Sequence, residues 1–256
     1  MTHNRIVTRE AWLAARKAHL QKEKELTRLR DQLSAERREL PWVKVDKSYV
    51  FEGPNGTETL SDLFDGRSQL IIKHFMLGPG RKEGCVGCSF EVDHIEGALV
   101  HLAHHDVTYV VVSRAPLPQI EAFKRRMGWR FKWVSSYGSD FNYDFHVSFR
   151  ADEIEKGVAY YNYEIRKVGT DELSGRSVFY KDANGDVRTY SSYARGGDLM
   201  LGTYNILDLM PKGRNETGPN HNLTDWVRHH DRYDSGGHIA ATGRYVPADG
   251  STETGT

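Results

Sequence analysis

Cysteine is scarce in this sequence, and so are long apolar runs and any excess of one charge. The 256 residues include two cysteines, Cys85 and Cys88, which excludes a secreted scaffold held by several disulfides. Lysine plus arginine and aspartate plus glutamate both total 35, so no net charge recruits nucleic acid or an anionic membrane. No apolar run approaches the ~20 residues of a membrane span, and residues 1–9 lack the apolar core of a secretory signal. We therefore expect a cytoplasmic protein that binds neither nucleic acid nor membrane.

The first segment of the chain, residues 1–40, is predicted to be a helical extension. Thr8 to Leu40 is highly charged and contains no glycine or proline, and Pro41 ends the helix. One stripe of this helix is apolar, through Leu26, Leu29, Leu33 and Leu40. The stripe must pack on a second copy of the chain or, if the helix is broken, on its own domain. We expect a homodimer contact.

The main domain is predicted to cover residues 41–233, followed by a flexible Gly/Ser/Thr/Ala-rich tail at 234–256. Strands and helices alternate in its first part, which predicts an α/β fold with a largely parallel sheet. The predicted strands are Leu70–Met76, Val107–Ser113 and Phe131–Val134, and the predicted helices are Cys88–His105 and Pro118–Met127. Further on, we expect a strand or extended flap at Phe141–Phe149, a hairpin at 177–191 and a short helix at Leu223–His230.

The two cysteines form a Cys-x-x-Cys motif, and the helical pattern assigns them different positions. Cys88 begins an apolar stripe that continues through Val92, Ile95, Leu99 and Leu102, so it is predicted to face the core. Cys85 lies one turn earlier, where it can face solvent and where Arg81 and Lys82 are close in sequence. A thiolate is favoured at such a helix start. We therefore expect Cys85 to attack a disulfide and Cys88 to resolve the mixed disulfide.

A zinc site is the competing interpretation, because His101 and His105 follow the cysteines at a spacing known from zinc fingers. If Cys88–His105 is one helix, His101 lies ~20 Å from Cys88, too far to share one ion. We therefore expect no bound metal, and no cofactor is indicated.

Several segments of the chain resemble known families. Thr59-Leu-Ser-Asp-Leu-Phe and the segment from Gly175 to Val187 resemble parts of peroxiredoxin and thioredoxin-like domains. Over residues 8–233 the chain is similar to a bacterial domain-of-unknown-function family of predicted dithiol–disulfide oxidoreductases. The matching segments are Thr8-Arg-Glu-x-Trp-Leu, Leu40-Pro-Trp-Val, Gly84-Cys-x-Gly-Cys-Ser-Phe, Phe141-Asn-Tyr-Asp-Phe and Arg228-His-His-Asp-Arg-Tyr. The resemblance implies a thioredoxin-like fold, with a central mixed sheet and flanking helices, and a redox-active dithiol.

The chain also departs from these families. Lys73 stands near the place of the buried aspartate that relays protons in thioredoxin, and Ser174-Gly175-Arg176 replaces the cis-proline region. Arg176 matches the arginine that peroxiredoxins place beside their reactive thiolate, so Arg176 joins Cys85 and Cys88 as a candidate catalytic residue. A thiol peroxidase and a non-enzymatic metal-binding or interaction module remain alternatives. The expected substrate is a disulfide-containing protein, or a small thiol or peroxide.

Other side chains have candidate roles near the motif. Glu91 and Asp93 could take the proton of Cys88, although solvated or hydrogen-bonding roles are commoner for helix acids. The aromatic residues of the segment 137–149 could cover the cysteines, or simply pack in the core. His229-His230-Asp231 could form a metal or proton-relay site, or the cationic end of a helix.

Overall fold

A computed structural model describes residues 5–193, 197–214, 216–240 and 245–248. The chain separates into two units, residues 1–42 and residues 43–256. Along the described part of the chain, no helix is both long enough and apolar enough to cross a membrane.

The first unit contains one long helix, α1 (Arg9–Arg38), as the sequence predicts. Thr8 caps it, because its side-chain oxygen accepts the backbone N–H of Ala11 at 3.3 Å. Arg37 and Arg38 occupy the last turn, where cations interact favourably with the helix dipole. No residue of α1 is buried, and the stripe leucines remain exposed.

The second unit contains the strands and the remaining helices. Its strands are β1 Val43–Lys44, β2 Val50–Gly53, β3 Gly56–Thr59, β4 Gln69–His74, β5 Val107–Ser113, β6 Lys132–Ser135, β7 Val158–Tyr161, β8 Glu164–Lys167, β9 Gly175–Lys181, β10 Val187–Tyr193, β11 His238–Ile239 and β12 Tyr245–Val246. Its α-helices are α2 Val86–Val92, α3 Leu99–His104, α4 Leu117–Arg126, α5 Phe141–Asp144, α6 Ala151–Lys156 and α7 Gly202–Leu207.

The central sheet has the order β1-β10-β9-β4-β5-β6-β2-β3 within the described residues. Strands β4, β5 and β6 are parallel, whereas β9 is antiparallel to β4 and β10 is antiparallel to β9. Helices α2 and α3 form the crossover from β4 to β5, so α2 begins just beyond the carboxyl end of β4. Apolar clusters cover both faces of the sheet, as the nearly continuous burial along β5 requires. This is the predicted thioredoxin-like arrangement, with a mixed central sheet and flanking helices.

The predicted helix Cys88–His105 is interrupted, which corrects the sequence interpretation. Helix α2 ends at Val92, a short 3-10 turn covers Glu96–Ala98, and α3 follows. The Glu96 carboxylate accepts the backbone N–H of Phe131 at 3.0 Å, which ties this break to the chain entering β6. Cys88, Val92 and Ile95 still face the same core cluster. The ~20 Å separation that a single helix would impose on Cys88 and His101 therefore no longer applies.

The segment Phe141–Phe149 is not the strand or flap that its alternating pattern predicted. It begins with the short helix α5 and then turns at His146, which has a φ of 53°. Phe141 and Phe145 are four residues apart, the spacing that places two side chains on one helix face. Their rings lie 4.7 Å apart, and Phe141 also packs edge-on against Phe51 at 4.9 Å. The aromatic residues Phe141 and Phe149 are therefore core residues.

The predicted helix Leu223–His230 is reduced to a 3-10 turn, Leu223–Asp225. Asn222 favours this turn, because its side chain accepts the backbone N–H of Thr224 at 2.9 Å. In the predicted flexible tail 234–256, β11 pairs with β12, and Ile239 is buried. The tail residues 241–244 and 249–256 lie outside the described residues.

The C-terminal segment packs against α2, which the sequence did not indicate. An apolar cluster joins Val86 and Phe90 of α2 to buried residues from the C-terminal segment: Leu201, Tyr204, Val227 and Ile239. The helix that carries the cysteines is therefore covered by residues more than one hundred positions away in the chain.

Candidate active site

The cysteine pair begins α2, where the loop after β4 returns to the sheet. The backbone N–H of Cys85 donates to the Met76 carbonyl at 3.0 Å, and the Cys85 carbonyl accepts both the N–H and the hydroxyl of Ser89 at 2.9 Å. These bonds fix Cys85 at the N-cap position of the helix. Cys85 is partly exposed, whereas Cys88 is 2% exposed. This difference in exposure agrees with the sequence prediction.

The ionisation of each thiol of the pair depends on the other. The interaction with Cys88, together with burial, raises the pKa of Cys85, so the expectation of a thiolate at Cys85 was wrong. The hydrogen bond from Cys85 lowers the pKa of Cys88 to about 6, helped by the positive charge of Lys73 and the backbone N–H of Met76 and opposed by burial. The backbone N–H groups of Gly87 and Cys88 oppose the rise at Cys85. The first proton therefore leaves the pair readily, and the two thiols titrate together.

The cation that acts on this pair is Lys73, which corrects the expectation for Arg81. The Arg81 guanidinium donates to the Asp171 carboxylate at 2.6 Å and lies 3.8 Å from Glu172, so its charge is already paired. Lys82 is exposed. Lys73, in contrast, is 0% exposed on β4, and its charge reaches Cys88.

Lys73 belongs to a buried three-residue cluster with Glu91 and Arg176. Lys73 and Arg176 are directly opposite on β4 and β9, so two like charges face each other across the strands. Glu91, one turn after Cys88 on α2, bridges them. Its carboxylate accepts from Lys73 Nζ at 2.8 Å and from Arg176 Nε at 2.7 Å. Lys73 Nζ also donates to Ser174 Oγ at 2.5 Å.

The surroundings of Glu91 and Asp93 bear on whether either carboxylate could accept the proton of Cys88. Burial opposes the ionisation of Glu91, but the charges of Lys73 and Arg176 outweigh it and lower its pKa. Glu91 is therefore a poor base. Asp93 faces elsewhere and accepts Trp129 Nε1–H at 2.8 Å, with His230 Nδ1 also at 2.8 Å. Arg176, expected beside the thiolate, has its guanidinium on the Glu91 carboxylate instead.

Glu172 is a titratable neighbour of the pair that sequence reasoning missed. It is 2% exposed, and within the described residues its Oε1 has no hydrogen-bond partner. Burial raises the pKa of Glu172 to about 7, against the charges of Arg114 and Arg81, and the charge of Cys88 adds to the rise. Glu172 can therefore exchange a proton near neutral pH. Nothing in the local sequence distinguishes Asp171-Glu172 from an exposed acidic pair.

The loop that leads into Cys85 is held by the C-terminal segment. The neutral His229 ring donates from Nε2 to the Gly84 carbonyl at 3.0 Å, and burial lowers the pKa of His229 to about 4. The Glu83 carboxylate pairs with Arg126 and with Arg232, whose Nη1 donates at 3.0 Å. A methyl group added at Gly87 would meet the Leu223 side chain at 3.5 Å. We call Gly84, Glu83, His229, Arg232 and Leu223 the loop clasp.

The three residues of the motif His229-His230-Asp231 therefore bind different partners. His229 binds Gly84, His230 binds Asp93, and Asp231 accepts from Arg126 at 2.8 Å. Among the residues that the structure describes, no three His, Cys, Asp or Glu side chains converge as metal ligands.

Comparison with known proteins places the chain in a family. Residues 1–233 match the family model described as "Bacterial protein of unknown function (DUF899)", so the chain belongs to this family. No curated protein matches the sequence.

Several solved structures are distantly similar. Peroxiredoxin Q from Xanthomonas campestris aligns with a TM-score of 0.39 and 13% identity, over 64% of this chain and 95% of that one. A putative thiol:disulfide interchange protein DsbE from Chlorobium tepidum aligns with a TM-score of 0.37 and 13% identity, over 64% and 99%. Peroxidoxin BcpB from Mycobacterium tuberculosis aligns with a TM-score of 0.35 and 14% identity, over 65% and 96%.

Proposed function

We propose that the protein is a thiol–disulfide oxidoreductase that cycles the Cys85–Cys88 pair between dithiol and disulfide. The observation that carries this proposal is the thiol pair at the start of α2, with Cys85 partly exposed and Cys88 buried where the charge of Lys73 reaches it. Because Cys85 is the more exposed residue, its sulfur attacks the substrate. Because the thiolate of Cys88 is stabilised, Cys88 resolves the mixed disulfide. The substrate is a disulfide-containing protein or a small thiol or disulfide.

The reduction of a substrate disulfide follows from this geometry. The proton of Cys85 moves across the hydrogen bond to Cys88, and the Cys85 thiolate attacks one substrate sulfur. The substrate S–S bond breaks, a mixed disulfide forms, and one substrate thiolate leaves. Cys88 then loses its proton and attacks the Cys85 sulfur, which releases the second substrate thiolate. Two electrons pass to the substrate, and the pair ends as a disulfide.

Trapping the mixed disulfide tests this function. With glutathione disulfide as the probe, Cys88→Ser should accumulate one glutathione on Cys85, detectable by mass spectrometry, because no resolving thiol remains. The unaltered protein should proceed to the internal disulfide, and the matched Cys85→Ser variant should acquire far less adduct. Absence of an adduct on Cys88→Ser would contradict the proposal. Rapid peroxide consumption without disulfide exchange would favour the thiol peroxidase, and one equivalent of zinc bound by both cysteines would favour the metal-binding module.

A further inference from the structure

The Lys73–Glu91–Arg176 cluster holds one more positive charge than negative in the core. The three side chains are 0%, 5% and 7% exposed, respectively, so solvent screens them little. The two cations are tied to one carboxylate by the contacts on Nζ and Nε described above. An uncompensated charge in such a site is costly. The Cys88 thiolate is a counter-charge that can complete the cluster, since Glu91 lies one helical turn from Cys88.

Within the described part of the chain, the other titratable groups whose charge reaches Cys88 do not supply this counter-charge. They come from β5, β7 and the chain before β9, and they are Tyr109, Tyr161 and Glu172. Burial raises the pKa of both tyrosines, so both remain neutral at pH 7. Glu172 faces two guanidinium groups of its own, with Oε2 3.5 Å from Arg114 Nη2 and Oε1 3.8 Å from Arg81 Nη1. The charge balance of the cluster therefore depends on Cys88.

We propose that this cluster makes the Cys85–Cys88 pair an electron acceptor. The disulfide of the pair oxidises substrate dithiols, and Cys88 leaves as a thiolate that the buried positive charge stabilises. The inference rests on the function proposed above and adds a direction of electron flow and three positioning residues. Stabilising the reduced form makes a disulfide a stronger oxidant, and a leaving thiol of low pKa departs faster.

The oxidation step balances as follows. A substrate thiolate attacks the accessible Cys85 sulfur, the protein S–S bond breaks, and Cys88 takes the bonding electron pair as a thiolate. The second substrate thiol, deprotonated, attacks the substrate sulfur of the mixed disulfide, and Cys85 leaves. The products are the substrate disulfide, a Cys88 thiolate and a Cys85 thiol that carries the proton of the second substrate thiol.

The size of the effect follows from the ionisation of Cys88. The interaction with Cys85 and the charge of Lys73 outweigh burial and lower the pKa of Cys88 to about 6, against about 8.5 for a free thiol. At pH 7 this difference shifts the equilibrium with glutathione about tenfold toward the reduced protein, which corresponds to about 30 mV. At about pH 5 both thiols would be protonated, and the difference disappears.

Equilibration of the full chain in glutathione redox buffers tests the proposal. The oxidised fraction is read by alkylation and mass spectrometry at pH 5 and pH 7, for the unaltered protein and for Lys73→Met and Glu91→Gln. Lys73→Met should make the disulfide harder to reduce at pH 7, by at most about tenfold, and change little at pH 5. Glu91→Gln should make it easier to reduce, because it removes the competing negative charge. Lys47→Met, on an exposed lysine bound to Asp140 and Asp144, is the matched control and should change nothing.

The opposite shifts in the redox equilibrium of Lys73→Met and Glu91→Gln distinguish an electrostatic role from a structural one. A general loosening of the site would shift the equilibrium of both variants in the same direction. Equal shifts for Lys73→Met and Glu91→Gln, or no shift in either, would overturn the inference. If Lys73→Met does not fold, Arg176→Met takes its place with the same expected sign. Failure of the unaltered protein to reach any equilibrium with glutathione would instead remove the proposed function itself.

Discussion

At the scale of single residues, solvent exposure favours Cys85 as the reactive thiol, whereas stabilisation of the thiolate favours Cys88. Cys85 is the more exposed, whereas Lys73 and Met76 stabilise charge on Cys88. We expect solvent exposure to determine the rate of alkylation, so that iodoacetamide alkylates Cys88→Ser faster than Cys85→Ser near neutral pH. Rates measured from pH 5 to pH 9 on both variants check this. Faster alkylation of Cys85→Ser would mean that ionisation prevails and that Cys88 is the attacking thiol.

Glu172 gives a pH dependence of stability whose sign is fixed by its environment. Burial raises the pKa of Glu172 from 4.5 to about 7, so the folded protein favours the protonated carboxyl. The stabilisation is complete below the unfolded pKa and is lost as the pH rises through the folded pKa, by about 3 kcal/mol. Glu172→Gln should remove this loss, so its stability relative to the unaltered protein should increase between pH 4 and pH 8.

Urea unfolding of both proteins across this pH range measures the difference. The exposed Glu155→Gln is the matched control, and its profile should follow that of the unaltered protein. A Glu172→Gln profile parallel to the unaltered one would show that Glu172 does not titrate in this window.

The residues that sequence reasoning could place were those whose role depends on local spacing. The different exposures of Cys85 and Cys88 follow from one helical stripe. The positions of the charged residues around the cysteines do not follow from local spacing, because Lys73 and Arg176 meet Glu91 only through the register of β4 against β9. Arg81 looked relevant because it is close in sequence, yet it binds Asp171, ninety positions away.

At the scale of elements, the loop clasp holds the segment before Cys85. His229→Phe should remove the donor to the Gly84 carbonyl while retaining an aromatic ring against Phe123, which lies 5.4 Å away. Leaving a buried carbonyl unpaired costs about 1–3 kcal/mol. We expect a loss of that size in the free energy of unfolding at pH 7, measured with denaturant.

The control for this variant is His101→Phe, on the exposed surface of α3. Its stability should change by less than about 0.5 kcal/mol. If His229→Phe loses no more than His101→Phe, the bond to Gly84 does not stabilise the loop.

Two of the wrong element predictions, the helix Cys88–His105 and the strand Phe141–Phe149, have related causes. The apolar stripe from Cys88 to Leu102 continues across the interruption between α2 and α3, so periodicity alone could not reveal the break. In Phe141–Phe149 the same residues satisfy a period of two and an i, i+4 spacing. The packing of Phe141 against Phe51 selects the helix, and that packing is a tertiary contact.

At the scale of the whole molecule, the order of the core elements was predictable, since strands and helices alternate clearly from β4 to β6. The position of the C-terminal segment was not predictable. Its short strands and turns carry little periodicity, and their apolar residues find partners only on the surface of α2. That packing covers Val86 and Phe90 of α2.

The apolar stripe of α1 leads to a proposal about assembly. Leu26, Leu29 and Leu33 are 58%, 51% and 47% exposed along a 30-residue helix. Exposed apolar area costs about 25 cal/mol per Å², and a two-fold dimer is the commonest way for identical stripes to cover each other. We propose a homodimer through α1. Replacing all three leucines with glutamine, which has a similar helix propensity, should give a monomer at micromolar concentration in sedimentation equilibrium.

The matched control changes the opposite face of the same helix, with Lys24→Gln, Arg28→Gln and Asp31→Asn combined. This variant keeps the leucine stripe and should remain dimeric, whereas charge interactions along α1 are altered in it. Circular dichroism of both variants confirms that the helix persists. An unaltered chain that sediments as a monomer, or a leucine variant that remains dimeric, would exclude α1 as the dimer contact, because the stripe would then be covered in some other way or left in water.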